Sequence, residues 1–104
     1  MRMKLRPGQR LRSVVCDAEV IVVRAPTTEV DVRCGGALMV EQGTLSNGAF
    51  ELDPTLNDGP LLGKRYADDE LGLEVLCTRG GKGTLMVDGR ALKTKLAKPL
   101  PASD

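Results

Sequence analysis

Cys16, Cys34 and Cys77 are the residues of this chain best equipped for chemistry. A thiolate is a nucleophile, a metal ligand and a redox partner, and each role needs its own surroundings. Zinc sites legible in sequence place two ligands in one turn, as in C-x2-C, because that spacing restricts the metal geometry. Here 17 and then 42 residues intervene, and no histidine is present to complete a ligand set. The metal reading these residues allow is a thiolate site on Cys34 and Cys77, with Cys16 as a third ligand and Asp17 or water as a fourth, holding zinc or iron. The same pair would serve a redox reading. Against both, Cys34 shares parity with Val30 and Val32, and Cys77 with Leu73 and Val75. Free cysteine on such a face is commonly a small buried hydrophobe, so a structural role is the expectation.

Reactivity is a separate matter. Cys16 lies beside Asp17 and shares parity with Arg12, whose charge would favour the thiolate. Cys34 follows Arg33 and precedes Gly35-Gly36, whose N–H groups could face the sulfur. Cysteine enzymes need a positioned base, however, and histidine is missing. No catalytic residue is assigned on this reading. A small enzyme would have to draw its acid or base from Asp, Glu, Lys, Tyr or Cys, and nothing selects one.

The remaining motifs are weaker. Asp68-Asp69-Glu70, with Glu74 nearby, concentrates negative charge but lacks a calcium-loop pattern, so a solvated acidic turn is expected. Arg79-Gly80-Gly81-Lys82-Gly83-Thr84 has the residue types of a phosphate loop without G-x-x-x-x-G-K-[ST] spacing or a following helix, and reads as a flexible basic hairpin tip. Phe50 and Tyr66 are the only aromatics. Two rings cannot build the stacking platform on which β-modules bind single strands, so no nucleic-acid partner is expected.

Short strands must position all of these groups. Period-two alternation runs through Leu11 to Cys16, Val30 to Cys34 and Leu73 to Cys77, and Glu19 to Arg24 is apolar on both faces, as suits a central strand. Leu38 to Val40, Thr84 to Val87 and Arg90 to Leu96 add further short strands. Asp88-Gly89 is a two-residue hairpin signal, because both central positions of a type I′ turn need positive φ. Lys93 and Lys95 mark a charged edge strand. Tyr66 to Gly72 holds room for one or two helical turns, whereas 12 Gly and 6 Pro break every longer window. Residues 41–63 are dense in turn residues and read as a long, mobile acidic loop anchored by Phe50, Leu52, Leu61 and Leu62. Residues 98–104 read as an extended tail.

One internal echo stands out. Glu29 to Cys34 leads through Gly35-Gly36 to Leu38-Met39-Val40, and Glu74 to Cys77 leads through Gly80-Gly81 to Leu85-Met86-Val87. Each reads as a hairpin, which would place Cys34 and Cys77 in corresponding positions.

Several segments carry a resemblance: Lys4-Leu5-Arg6-Pro7-Gly8, Val20 to Pro26, Val32-Arg33-Cys34-Gly35-Gly36, Gly63-Lys64-Arg65-Tyr66, Leu73-Glu74-Val75-Leu76 and Lys98-Pro99-Leu100-Pro101. Together they are similar to a group of short uncharacterised bacterial all-β proteins. The resemblance implies a small bacterial protein and carries no activity, cofactor or site.

Composition sets the outer bounds. At 104 residues the chain suits one domain, 1–104, with a single core. Apolar runs such as Val20–Val23 fall far short of the ~18 residues of a membrane helix, and Met1 to Arg12 has no leader-like apolar stretch after it. A cytoplasmic location with reduced thiols is therefore expected. Residues 1–16 carry five bases and no acid, and residues 41–74 carry eight acids against two bases. Such asymmetry can pair within one chain or between copies.

The expected protein is thus all-β, a small antiparallel partly open barrel or sandwich of about seven or eight strands. Its expected function is a non-catalytic binding or accessory module that self-associates as a homo-oligomer and docks on a protein partner or holds a small ligand. Phe50, Leu52, Leu61, Leu62 and Tyr66 form the expected contact surface. The competing expectation is the thiolate metal or redox site.

Overall fold

The structure is a computed structural model that describes residues 2–44 and 51–94. Among the described residues the chain is all-β, in ten short strands. These are β1 (Arg10–Arg12), β2 (Glu19–Arg24), β3 (Val32–Cys34), β4 (Ala37–Leu38), β5 (Val40–Glu41), β6 (Arg65–Asp68), β7 (Leu73–Arg79), β8 (Leu85–Val87), β9 (Arg90–Ala91) and β10 (Lys93–Thr94). They form a six-stranded sheet in the order β10-β6-β7-β2-β1-β5 and a four-stranded sheet in the order β4-β3-β8-β9. Every pairing is antiparallel, and the sheets do not close into a barrel. The strand number exceeds the expected seven or eight because two runs break where the chain changes sheet.

One core lies between the sheets. Leu11, Val20, Val22, Leu73 and Val75 enter it from the six-stranded sheet, and Val32, Cys34, Leu85 and Val87 from the other. The alternation read at Val30 to Cys34 therefore does point one face inward. Each such aliphatic side chain contributes about 1.5–3 kcal/mol relative to exposure. β2 is central, as expected, but only one of its faces is sealed: Val20 and Val22 are buried while Val23 is exposed. Its pairing with β7 shifts register between Val22 and Arg24, so Val23 occupies a bulge, which accounts for its outward position.

The turns follow their chemistry. Asp88 (φ 49°) and Gly89 (φ 82°) connect β8 to β9 with Val87 opposite Arg90, the two-residue hairpin read from Asp-Gly. Gly35 and Gly36, also at positive φ, turn β3 into β4.

Four expectations fail on topology. The second Gly-Gly segment makes no hairpin: β7 pairs with β2 and β6, while β8 pairs with β3 and β9 in the other sheet. Residues 80–84 thus form a crossing strap, and Gly81 and Gly83 are packed tightly rather than placed at a free tip. The run from Arg90 splits at Leu92, leaving β9 in one sheet and β10 in the other. Tyr66 lies in β6, not in a helical turn, because Arg65 to Asp68 pairs residue by residue with Leu73 to Leu76. β1 ends at Arg12, and Ser13 to Ala18 forms a turn instead of continuing the strand.

Candidate functional site

The thiols meet where three connections cross. In the β1–β2 turn, the Ser13 N–H donates to the Ala18 carbonyl (2.9 Å), and Ser13 Oγ accepts from the N–H groups of Val15 and Cys16 (3.1 Å each). This local bonding is the usual way a serine side chain bends a chain, and it aims Cys16 inward at its own hydroxyl. Cys34 arrives from the end of β3, buried among the core aliphatics. The crossing strap lies against both. Its Gly83 N–H donates to Cys16 Sγ (3.4 Å), and the Gly83 carbonyl accepts from the Cys34 thiol (3.2 Å). Cys16 Sγ and Cys34 Sγ are 3.7 Å apart.

The strap is glycine-rich for a packing reason. A Cβ at Gly81 would sit 2.5 Å from the Ala18 nitrogen and 2.8 Å from Cys16 Sγ, and one at Gly83 would sit 2.7 Å from the Gly35 nitrogen and 3.0 Å from Cys34 Sγ. These approaches are too close for side chains, so the backbone itself walls the sulfurs.

Electrostatics separates the two thiols. Burial penalises the Cys16 thiolate, but hydrogen bonds from Ser13, the Ala18 and Gly83 backbones and Cys34 outweigh it and hold its pKa below the ordinary thiol value. For Cys34 burial dominates and, with the neighbouring sulfurs, pushes the thiol up to about 12. One thiol of the pair is thus half-buried and inclined to ionise, and the other is sealed and protonated.

Cys77 is also buried, and burial raises its pKa; its thiol donates to the Arg79 carbonyl (3.2 Å). The two sulfurs brought into contact are therefore Cys16 and Cys34, whereas the thiolate reading of the sequence centres on Cys34 and Cys77 with Cys16 as the third. Among the described residues no three His, Cys, Asp or Glu side chains converge to hold a metal ion. Asp17 is exposed. Sequence reasoning missed the partnership because nothing local announces it: only the strap, a contact across 67 positions, brings the Cys16 turn to β3.

The expected contact residues fall into different places. Phe50 lies outside the described residues. Leu52 is half-buried over the β3–β4 turn, close enough that a Cβ on Gly35 would strike its Cδ1. Leu61 and Leu62 are exposed to 60% and 70%. Tyr66 is half-buried, and its hydroxyl accepts the Leu61 N–H (2.9 Å).

No protein-family pattern, curated protein or solved structure matches this chain.

The described part of the long loop, 51–63, carries no strand, yet it is tied along its length. Asp53 N–H donates to the Gly35 carbonyl, Thr84 N–H to the Leu56 carbonyl, Gly81 N–H to the Pro60 carbonyl and Gly63 N–H to the Cys77 carbonyl. These bonds brace the backbone over 51–63, which presents Leu61 and Leu62 at an exposed tip. Beside that tip, Tyr66 and Leu61 face Leu85 and Leu92 across a groove of about 230 Å³ between the sheets. A larger hollow of about 530 Å³ lies over the acidic turn, where Arg90 pairs with Asp68 (3.1 Å) and with Glu70.

Proposed function

We propose that this chain is a non-catalytic binding module that self-associates through the tip at Leu61 and Leu62. The observation that carries the reading is the exposure of two adjacent leucines on a loop held by hydrogen bonds to Tyr66, Cys77 and the strap. Exposed leucines scattered singly are ordinary, but a braced pair loses little freedom when it is covered, so more of its burial appears as binding. Size favours a protein over a small ligand. The groove beside the tip falls below the roughly 300–1,000 Å³ of typical ligand sites, and the larger hollow is charged and bridged by Arg90. A second copy of the chain is the partner proposed, because the opposite-charge segments offer each copy complementary surfaces. The three free thiols suit a reducing compartment, which supports a cytoplasmic setting.

Light scattering coupled to size exclusion tests the assembly. The expected result is a homo-oligomer that Leu61→Asp/Leu62→Asp converts to monomer with the far-UV spectrum unchanged. A wild-type monomer at the highest soluble concentration, or a doubly substituted chain that still assembles, would overturn the reading.

A further inference from the structure

Cys16 and Cys34 differ from an ordinary pair of packed sulfurs in three respects. Their sulfurs face one another at 3.7 Å, and the wall beside them is glycine backbone. Bond formation needs an approach of roughly 1.7 Å, a movement within reach of a turn residue such as Cys16. The two thiols are also unequal in access, Cys16 half-buried and Cys34 sealed. Finally, the backbone of Gly83 binds both, its N–H donating to Cys16 and its carbonyl accepting from Cys34.

We propose that Cys16 and Cys34 are a redox-active dithiol that closes to an intramolecular disulfide by exchange with a low-molecular-weight disulfide, Cys16 attacking and Cys34 resolving. In the first step the Cys16 thiolate attacks one sulfur of the small disulfide. A mixed disulfide forms at Cys16 and one small thiolate leaves. In the second, Cys34 gives its proton to that thiolate and its sulfur attacks Cys16 Sγ, expelling the second small thiolate. The protein loses two hydrogens as one small disulfide becomes two small thiols.

The assignment of roles follows from the surroundings. Cys16 is the more exposed of the two, and the Gly83 N–H that points at its sulfur, with Ser13 and the Cys34 thiol beside it, supports negative charge there. Cys34 has no such access and meets the mixed disulfide only after it forms next door. Because Cys16 belongs to a turn of the six-stranded sheet and Cys34 to β3 of the other, the new bond would join the two sheets covalently.

The test uses the full reduced chain, oxidised glutathione as the probe, acid quenching, alkylation and peptide mapping by mass spectrometry. The expected product lacks two hydrogens, links the Cys16 peptide to the Cys34 peptide and leaves Cys77 free. In Cys34→Ala the expected product carries one glutathione on Cys16, formed at least about tenfold faster than any adduct of Cys16→Ala. Wild-type protein whose three thiols all stay free would overturn the proposal. So would a linkage that includes Cys77, or equal glutathione addition to the two variants. The wild-type map decides the matter even where a cysteine variant fails to fold.

Discussion

Cys34 keeps its proton because its sulfur sits in the apolar layer between the sheets, where burial acts first and the adjacent sulfurs add to it. That preference makes the Cys34 contribution to stability depend on pH. The ordinary thiol value is 9.0 and the folded value about 12, so the folded state holds the proton more tightly than the unfolded state does. The contribution is complete below pH 9 and is lost as pH rises from 9 towards 12. Cys77 acts in the same direction and Cys16 in the opposite one. At about pH 10.5, with reductant present, the Cys34 contribution has fallen by about 2 kcal/mol. Urea unfolding at about pH 8 and pH 10.5 should therefore show wild type losing about that much more stability than Cys34→Ala. Comparing the two chains cancels every contribution they have in common. An equal loss in both would mean that Cys34 ionises in the fold as readily as in the open chain. The burial of this residue was legible from its parity with Val30 and Val32, but its partner was not, since a turn at Ser13 and a glycine strap decide which sulfur comes near.

Between strands, the sequence announces turns more clearly than destinations. Asp88-Gly89 could be read outright because positive φ at two successive positions fits few residue pairs and leads to one structure. Gly80-Gly81 looks like Gly35-Gly36, yet one leads to the other sheet and the other to a hairpin, since glycine permits either path and long-range pairing selects. Leu92 is a similar case: its N–H still bonds to the Leu85 carbonyl, while the next two residues pair with β6. The loop tip presents a third form of the problem, because turn residues over 41–63 indicate irregular backbone without showing whether it is braced. Tyr66 supplies one brace, from a strand to an exposed loop amide. Tyr66→Phe should remove it at a cost of about 0.5–1 kcal/mol, at the low end for a hydrogen bond because water can replace the hydroxyl at Leu61. Most of that loss belongs to the tip. Chymotryptic cleavage after Leu61 or Leu62 should quicken by about two- to fivefold while the midpoint of thermal unfolding falls by only a few degrees. Unchanged cleavage would show that the backbone bonds at Pro60 and Gly63 hold the tip alone.

Across the whole molecule, the chain passes between the two sheets after β2, β4, β7 and β9. Neither sheet is therefore a contiguous piece of sequence, and each closes only when strands distant in the chain are in place. Both sheets also contribute side chains to one buried cluster, so losing either would uncover apolar residues of the other. The ion pairs spread over the surface, including Arg6 with Glu41 (3.4 Å) and Arg79 with Glu19 (3.5 Å), each contribute less than about 1 kcal/mol and cannot hold one sheet after the other has opened. Unfolding should accordingly be a single cooperative event. Native-state hydrogen exchange gives the sharpest check, because Val75 and Val87 report on different sheets through amides in their central strands. The two should exchange with the same opening free energy, equal to that of global unfolding, and with the same denaturant slope. A Val87 amide that opens well below the Val75 amide would mean that the four-stranded sheet comes apart by itself, despite the crossings that thread it through the other.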